Sequence, residues 1–134
     1  KPTQQSSKKI KSTFSEVLKS SMEREITSRG WCNRCNRYQS LTTKKTIHSI
    51  PAILILNAAI VNSEAISLWT TPGWIPEEIG IVIDQGRIFC FQGNDLNSHL
   101  QRGVHNITIY SLIGFAAEII TGPDQVSHLV SFIN

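Results

Sequence analysis

Two cysteines two residues apart form the clearest chemical motif in the sequence. Cys32 and Cys35 enclose Asn33 and Arg34, in a stretch rich in turn-favouring residues. Two thiolates at this spacing on a turn can hold one face of a tetrahedral zinc ion, but a closed structural site needs four ligands. Three interpretations stay open: a pair that binds no metal, a zinc half-site completed by cysteines outside this chain, and a redox pair, for which the usual βαβ context is missing.

One histidine has a position that suits catalysis. His128 follows Ser127 and opens an apolar run of strand length. At the start of a strand, an imidazole can project into a cleft and serve as a general base. It needs a nucleophile, yet Cys32 and Cys35 lie in a knuckle and Cys90 lies inside an apolar run, as a small buried hydrophobe does. The residues alone therefore favour a structural role for His128 and predict no catalytic residue.

Length and composition exclude several classes of protein. The 134 residues fit one domain or a large piece of one, and 40% hydrophobic with 17% charged residues predicts a folded chain. No apolar run approaches the roughly 18 residues of a membrane helix, and the N-terminal residues do not form a secretory signal. Three cysteines, an odd number, favour reduced thiols in the cytosol or nucleus over a disulfide framework.

The charge is uneven along the chain. Residues 1–45 hold 11 basic and 3 acidic side chains, whereas residues 46–134 hold 2 basic and 7 acidic ones. A basic N-terminal third would attract nucleic acid or another acidic partner. Because acidic residues alternate with the basic ones over the predicted helix, an ordinary solvated helix face is the stronger interpretation.

The first part of the chain predicts a helix, a knuckle and a strand. Residues 1–12 are polar and predict a flexible lead-in. Capping residues near Thr13 and apolar residues at helical spacing predict an amphipathic helix over 13–25. Glycine, asparagine and cysteine predict a knuckle over 30–38, and the alternation that follows predicts a strand over 40–49.

The remainder predicts mainly strands. The unbroken apolar run 52–57 predicts a central strand covered on both faces, and residues 61–78 predict a loop pinned by Trp69 and Trp74. The residue pattern over 112–120 does not distinguish a helix from a strand, although it is compatible with the continuation of a strand. Four further strands are predicted, over 80–83, 87–91, 104–110 and 128–133. A leading helix before several strands, without βα alternation, predicts the α+β class with an antiparallel sheet.

Several stretches resemble the ubiquitin-specific protease family. Residues 13–25, Trp31-Cys-Asn-Arg-Cys35 and residues 53–56 resemble its helix, the second cysteine pair of its zinc ribbon and its leucine-rich core segment. Residues 110–118 and 127–132 resemble the strand pair that carries its catalytic histidine. The resemblance implies a papain-like cysteine-protease fold, with 13–134 as part of a ubiquitin-hydrolase-like domain.

The sequence also departs from the pattern of active members. Proteases of the family open with a box that contains the nucleophilic cysteine, and residues 1–134 contain no stretch that resembles it. Ser127 stands where the family has a glycine before the histidine. Residues 57–59 replace the basic and aromatic end of the leucine-rich segment. Residues 30–39 and 74–79 resemble the pseudoenzyme domain in the family of catalytic subunits of poly(A)-nuclease deadenylases.

This second resemblance implies a non-catalytic scaffold within a poly(A)-specific 3′-exoribonuclease subunit that shortens mRNA poly(A) tails. It implies an exonuclease domain elsewhere in the same subunit, which would hold magnesium, and a pseudokinase-like partner dimer. Poly(A) mRNA would be bound by the assembled complex, in the cytoplasm and in mRNA-processing bodies, and no membrane would be involved. If Cys32 and Cys35 are the zinc half-site rather than a pair without metal, a structural zinc would be the cofactor of this chain.

Two other functions remain open at this stage. The chain would be a fragment of an active ubiquitin-specific protease if His128 served as the general base for a cysteine outside it. It would instead be a zinc-knuckle module that binds RNA if the basic third contacted phosphates, and such binding would weaken with salt.

Overall fold

The computed structural model describes residues 12–119, 122–123 and 126–134, so nearly all of the predicted lead-in, 1–12, lies outside the described residues. The described chain contains three helices and seven strands. In chain order they are α1 (Phe14–Met22), β1 (Glu25–Cys32), β2 (Arg37–Lys44), α2 (Ser63–Trp69), β3 (Glu78–Asp84), β4 (Arg87–Gln92), α3 (Gly93–Gln101), β5 (Thr108–Ser111), β6 (Gly114–Ile119) and β7 (His128–Ile133).

The strands form three separate antiparallel sheets. The largest has the order β4-β3-β5, while β1 pairs with β2 and β6 pairs with β7 as two-stranded sheets. All four strand pairings in the described chain are antiparallel, which confirms the predicted α+β class. No helix among the described residues is long and apolar enough to cross a membrane.

The first helix begins where its capping residues predict. The Thr13 side chain accepts a hydrogen bond from the Glu16 backbone N–H, and the Glu16 carboxylate accepts one from the Thr13 backbone N–H. This reciprocal pair satisfies two N–H groups that a helix start leaves free. Phe14 and Leu18, four residues apart, are buried on one face. The helix ends at Met22, whereas the prediction extended it to residue 25. Residue 25 instead begins strand β1.

The core lies around β3, the middle strand of the largest sheet. Four consecutive residues of β3, 79–82, are buried, so the strand is covered on both faces. Ile81 and Ile88 are 1% exposed. Leu96 of α3 lies over Gly80 so closely that an added Cβ would be 2.5 Å from the leucine Cδ1. Helix α1 contacts β4, and α3 contacts both β3 and β4.

The prediction of a central strand over 52–57 is wrong. These residues form no strand, and Ile53 and Ile55 are 70% and 89% exposed. Leu54 is half-buried and packs against the core. An apolar run becomes a strand only when a neighbouring strand takes up its backbone hydrogen bonds, and no strand of the described chain pairs with it. The strand covered on both faces is β3 instead.

Residues 61–78 are not wholly a loop, since α2 lies within them. Asn62 caps this helix, because its side-chain oxygen accepts a 2.8 Å hydrogen bond from the Ala65 N–H. The predicted aromatic packing is confirmed: Trp69 and Trp74 each meet the Phe14 ring edge to face, at 5.8 and 5.6 Å between centroids.

Other boundaries differ from the predicted ones. Strand β2 begins at Arg37 and ends at Lys44, whereas the prediction placed it over 40–49. Helix α3 was not predicted, and of the predicted strand 104–110 only the end belongs to β5. Strands β3, β4 and β7 lie where apolar runs predict them, and β6 occupies part of the ambiguous stretch.

Candidate functional site

The cysteine knuckle forms the turn between β1 and β2. Cys32 ends β1, and its carbonyl oxygen accepts a 2.8 Å hydrogen bond from the Asn36 N–H. Asn36 has φ 52°, a left-handed conformation that asparagine tolerates well. The turn brings the Cys35 backbone N–H to 3.4 Å from the Cys32 Sγ. The two cysteines expected to form a pair are therefore together, on an open hairpin end.

Hydrogen bonding at the knuckle favours the thiolate of Cys32. The backbone N–H of Cys35 has the largest effect in lowering the pKa of Cys32, followed by the Cys35 thiol and the Arg34 backbone N–H, while slight desolvation opposes them. Backbone donors aimed at sulfur are suited to a metal-bound thiolate. In the described part of the chain, no group of three or more His, Cys, Asp or Glu side chains could hold a metal ion. The donor set fits half of a tetrahedral zinc site.

Cys90 is in a different environment from the knuckle pair. It lies half-buried in β4, where desolvation raises its pKa to about 11, with Glu23 adding slightly and Lys19 opposing. A thiol with this pKa is almost wholly protonated near neutral pH, and the thiolate is the nucleophilic form. Cys90 is consequently a packing residue, as its apolar run predicts.

His128 opens β7, as predicted, and is exposed. Its partner in the strand register is Ile119 of β6. The three cysteines of the chain lie in β1, in the β1–β2 turn and in β4, whereas β7 pairs with β6. The structure therefore brings Cys32 and Cys35 together and places His128 in another sheet.

An apolar groove lies between residues 52–56 and strand β5. Its volume is about 250 Å³. Its wall includes Phe14, Leu54 and Ile79, and the hydroxyl of Tyr110 donates a hydrogen bond to the Pro51 carbonyl beside it. Among the described residues, its polar lining includes Glu77 and Ser111 but no cysteine and no histidine. The groove therefore offers neither the nucleophile nor the base of a cysteine protease.

The sequence reasoning missed an exposed aromatic pair on the β1–β2 hairpin. Trp31 and Tyr38 are directly opposite in the register and meet edge to face, with 5.2 Å between ring centroids. They are 54% and 65% exposed. The signal was present in the sequence, because residues symmetric about a four-residue turn become cross-strand neighbours. The register also places Arg29 on the same face as Trp31.

Comparison with known proteins agrees with this architecture. The family model for ubiquitin carboxyl-terminal hydrolase matches residues 1–134. The chain is 61% identical over 124 residues to the PAN2-PAN3 deadenylation complex catalytic subunit PAN2 of Chaetomium thermophilum, covering 92% of this chain and 11% of that protein. It is 48% identical over 134 residues to the corresponding Neurospora crassa subunit, covering 100% of this chain and 10% of that protein.

A solved structure shares the fold of this chain. It is the Neurospora crassa Pan2 catalytic unit, described as the protease and nuclease domain, with a TM-score of 0.84 and 47% identity. The match covers 100% of this chain and 21% of that one. The expected ubiquitin-hydrolase fold and the expected resemblance to deadenylase subunits are thus confirmed. The chain belongs to the ubiquitin carboxyl-terminal hydrolase family.

Proposed function

We propose that this chain is a non-catalytic, ubiquitin-hydrolase-like scaffold domain of a poly(A)-specific 3′-exoribonuclease subunit that shortens mRNA poly(A) tails. The observation that carries the proposal is the placement of the thiols relative to His128. Cys32 and Cys35 form an open knuckle, Cys90 is half-buried with a raised pKa, and His128 stands on a separate hairpin. Cysteine protease chemistry requires a thiolate within hydrogen-bond reach of its base.

Similarity to deadenylase subunits supports the identity of the larger protein. The relatives are named as catalytic subunits of the PAN2-PAN3 deadenylation complex, and this chain spans about a tenth of their length. In the proposed subunit, an exonuclease domain elsewhere in the polypeptide holds magnesium and cuts the RNA, while this domain positions it. A pseudokinase-like dimer is the proposed partner, and the complex works on poly(A) mRNA in the cytoplasm, including mRNA-processing bodies.

Zinc at the knuckle is a further part of the proposal. Cys32 and Cys35 would supply two ligands, and the remaining two would come from outside the described residues. Bound zinc would fix the end of the hairpin. Metal analysis of the purified full-length polypeptide tests this idea: wild type should carry zinc that the double variant Cys32→Ser, Cys35→Ser has lost. Equal zinc content in the two proteins would refute the half-site.

A cysteine-reactive ubiquitin probe tests the scaffold role. The full-length polypeptide should form no covalent adduct, while an active ubiquitin-specific protease treated in parallel should be fully labelled. His128→Ala should leave the rate of poly(A) shortening unchanged, because His128 is not part of the exonuclease domain that is proposed to cut the RNA. An adduct that disappears in His128→Ala would establish the alternative, an active ubiquitin-specific protease with His128 as its general base.

A further inference from the structure

The hairpin formed by β1 and β2 carries its aromatic and basic residues outside the core. No residue of either strand is buried. Trp31 and Tyr38 nevertheless hold each other edge to face, so each indole or phenol ring retains open surface. Aromatic side chains of this size normally contribute to a core or to a binding surface. Their position in an exposed hairpin makes them available to a ligand.

Basic side chains are frequent in this hairpin. Residues 24–45, which comprise the hairpin and its two ends, hold six basic side chains and one acidic one. Arg29 shares a face with Trp31, and Lys44 lies opposite Glu25 on that same face. Within the described residues, the ion pairs are between Arg87 and Glu23 and between His99 and Asp95, so none of them neutralises the hairpin. The face therefore combines two open rings with a net positive charge, since Arg29 and Lys44 outnumber its one carboxylate, Glu25.

We propose that this face of the hairpin, formed by Arg29, Trp31, Tyr38 and Lys44, binds single-stranded RNA. Bases stack on the two rings, and the two cations contact the phosphates. A single strand suits the geometry because only unpaired bases can be laid against a protein ring, and stacking tolerates any base sequence. An acidic peptide would satisfy the cations but would leave the open rings without a stacking partner. The inference deepens the proposed function and rests on it for the choice of RNA as the nucleic acid.

Ultraviolet cross-linking to oligoadenylate tests the site directly. The full-length polypeptide is irradiated with the RNA in magnesium-free buffer, so that cleavage is not supported while zinc at the knuckle is left in place, and cross-linked peptides are mapped by mass spectrometry. We expect adducts within residues 25–44. The double variant Trp31→Ala, Tyr38→Ala should lose these adducts and weaken binding at least about fivefold, whereas Trp31→Phe with Tyr38→Phe should retain both.

Matched controls separate stacking from charge and from damage to the fold. Gln39→Ala lies on the opposite face of the hairpin and should leave cross-linking and affinity unchanged. Arg29→Gln should reduce the slope of log affinity against log salt by about one, as expected for one lost phosphate contact. Arg102→Gln, an exposed arginine after α3, should leave that slope unaltered.

Two results would overturn the inference. One is the absence of adducts in residues 25–44 while other parts of the polypeptide cross-link. The other is an unchanged RNA affinity in the double alanine variant together with loss of a co-purifying protein partner, which would assign the face to protein docking. Poly(A) shortening, measured separately with magnesium, reports on the proposed function: its absence with hairpin adducts intact would reject the deadenylase assignment and retain the RNA site.

Discussion

The carboxylate of Glu23 accepts a 2.8 Å hydrogen bond from the backbone N–H of Ile88, 65 residues further along the chain. Glu23 is the C-cap of α1, and Ile88 lies in β4, an edge strand whose outward N–H groups pair with no strand in the described part of the chain. The guanidinium of Arg87 lies 3.9 Å from the same carboxylate oxygen. A single side chain thus joins the end of α1 to the edge of the largest sheet.

Replacement of Glu23 by alanine should loosen this junction. The Ile88 N–H would lose its acceptor beside a buried side chain, which costs about 1–3 kcal/mol. Glu23→Gln should cost less, because an amide oxygen also accepts a hydrogen bond. Hydrogen exchange of peptides covering β4, measured on the full-length polypeptide, checks both variants. Equal protection in wild type and Glu23→Ala would show that the bond has no stabilising role.

The capping box of α1 gives a second prediction. Thr13→Ala removes the acceptor for the Glu16 N–H and should destabilise the helix by about 1 kcal/mol. Thr13→Ser should retain the cap. Ser20→Ala, an exposed position within the same helix, serves as the control and should not destabilise it. Hydrogen exchange of the first-turn amides of α1 measures the effect. Unchanged exchange rates in Thr13→Ala would contradict the prediction.

The elements that could be predicted from sequence are those whose signals are local. The α1 cap, the knuckle turn and the strands β3, β4 and β7 follow from capping residues, turn residues and apolar runs a few residues long. Residues 52–57 have the same kind of apolar run, yet they form no strand. A run of this type reports a preference for burial, and the identity of the pairing neighbour is set by distant residues. Sequence alone could not separate it from β3.

The same distinction applies to the candidate site. The two-residue spacing of Cys32 and Cys35 correctly predicted that they lie together at one turn, since the turn that follows Cys32 and contains Cys35 fixes their separation. The separation of His128 from the cysteines depends on which hairpins pair, which no local pattern reveals. The Trp31 and Tyr38 pair lies between these cases, because hairpin symmetry about the turn predicts its register.

Ile81 and Leu54 differ in burial, so truncation of each to alanine should destabilise the domain by different amounts. Ile81 is 1% exposed in the middle strand, so Ile81→Ala should destabilise the domain by about 2–5 kcal/mol. Leu54 is half-buried in a segment outside any strand, and Leu54→Ala should cost less than Ile81→Ala. Proteolysis of the full-length polypeptide in increasing urea ranks the two variants by their stability. An equal loss would show that residues 52–57 are packed more tightly than the structure places them.

The thiols should differ in reactivity because their environments differ. Iodoacetamide alkylates free thiolates, so at pH 8, after zinc has been removed with a chelator, Cys32 with its lowered pKa should react well before Cys90, whose pKa is about 11. Below pH 9 the Cys90 thiol is protonated in both folded and unfolded chains and contributes no pH dependence. As pH rises from 9 to 11 the unfolded thiol ionises first, so the free energy of unfolding falls across that window.

Peptide mapping after timed alkylation of the full-length polypeptide measures the two rates. Cys90→Ala provides the stability control, since its unfolding should lack the part of the pH 9 to 11 decline that Cys90 contributes. Cys32→Ser identifies the fast-reacting site. Alkylation of Cys90 at the Cys32 rate at pH 8 would contradict the burial of this thiol in β4, and with it the argument that Cys90 is unsuited to act as a nucleophile.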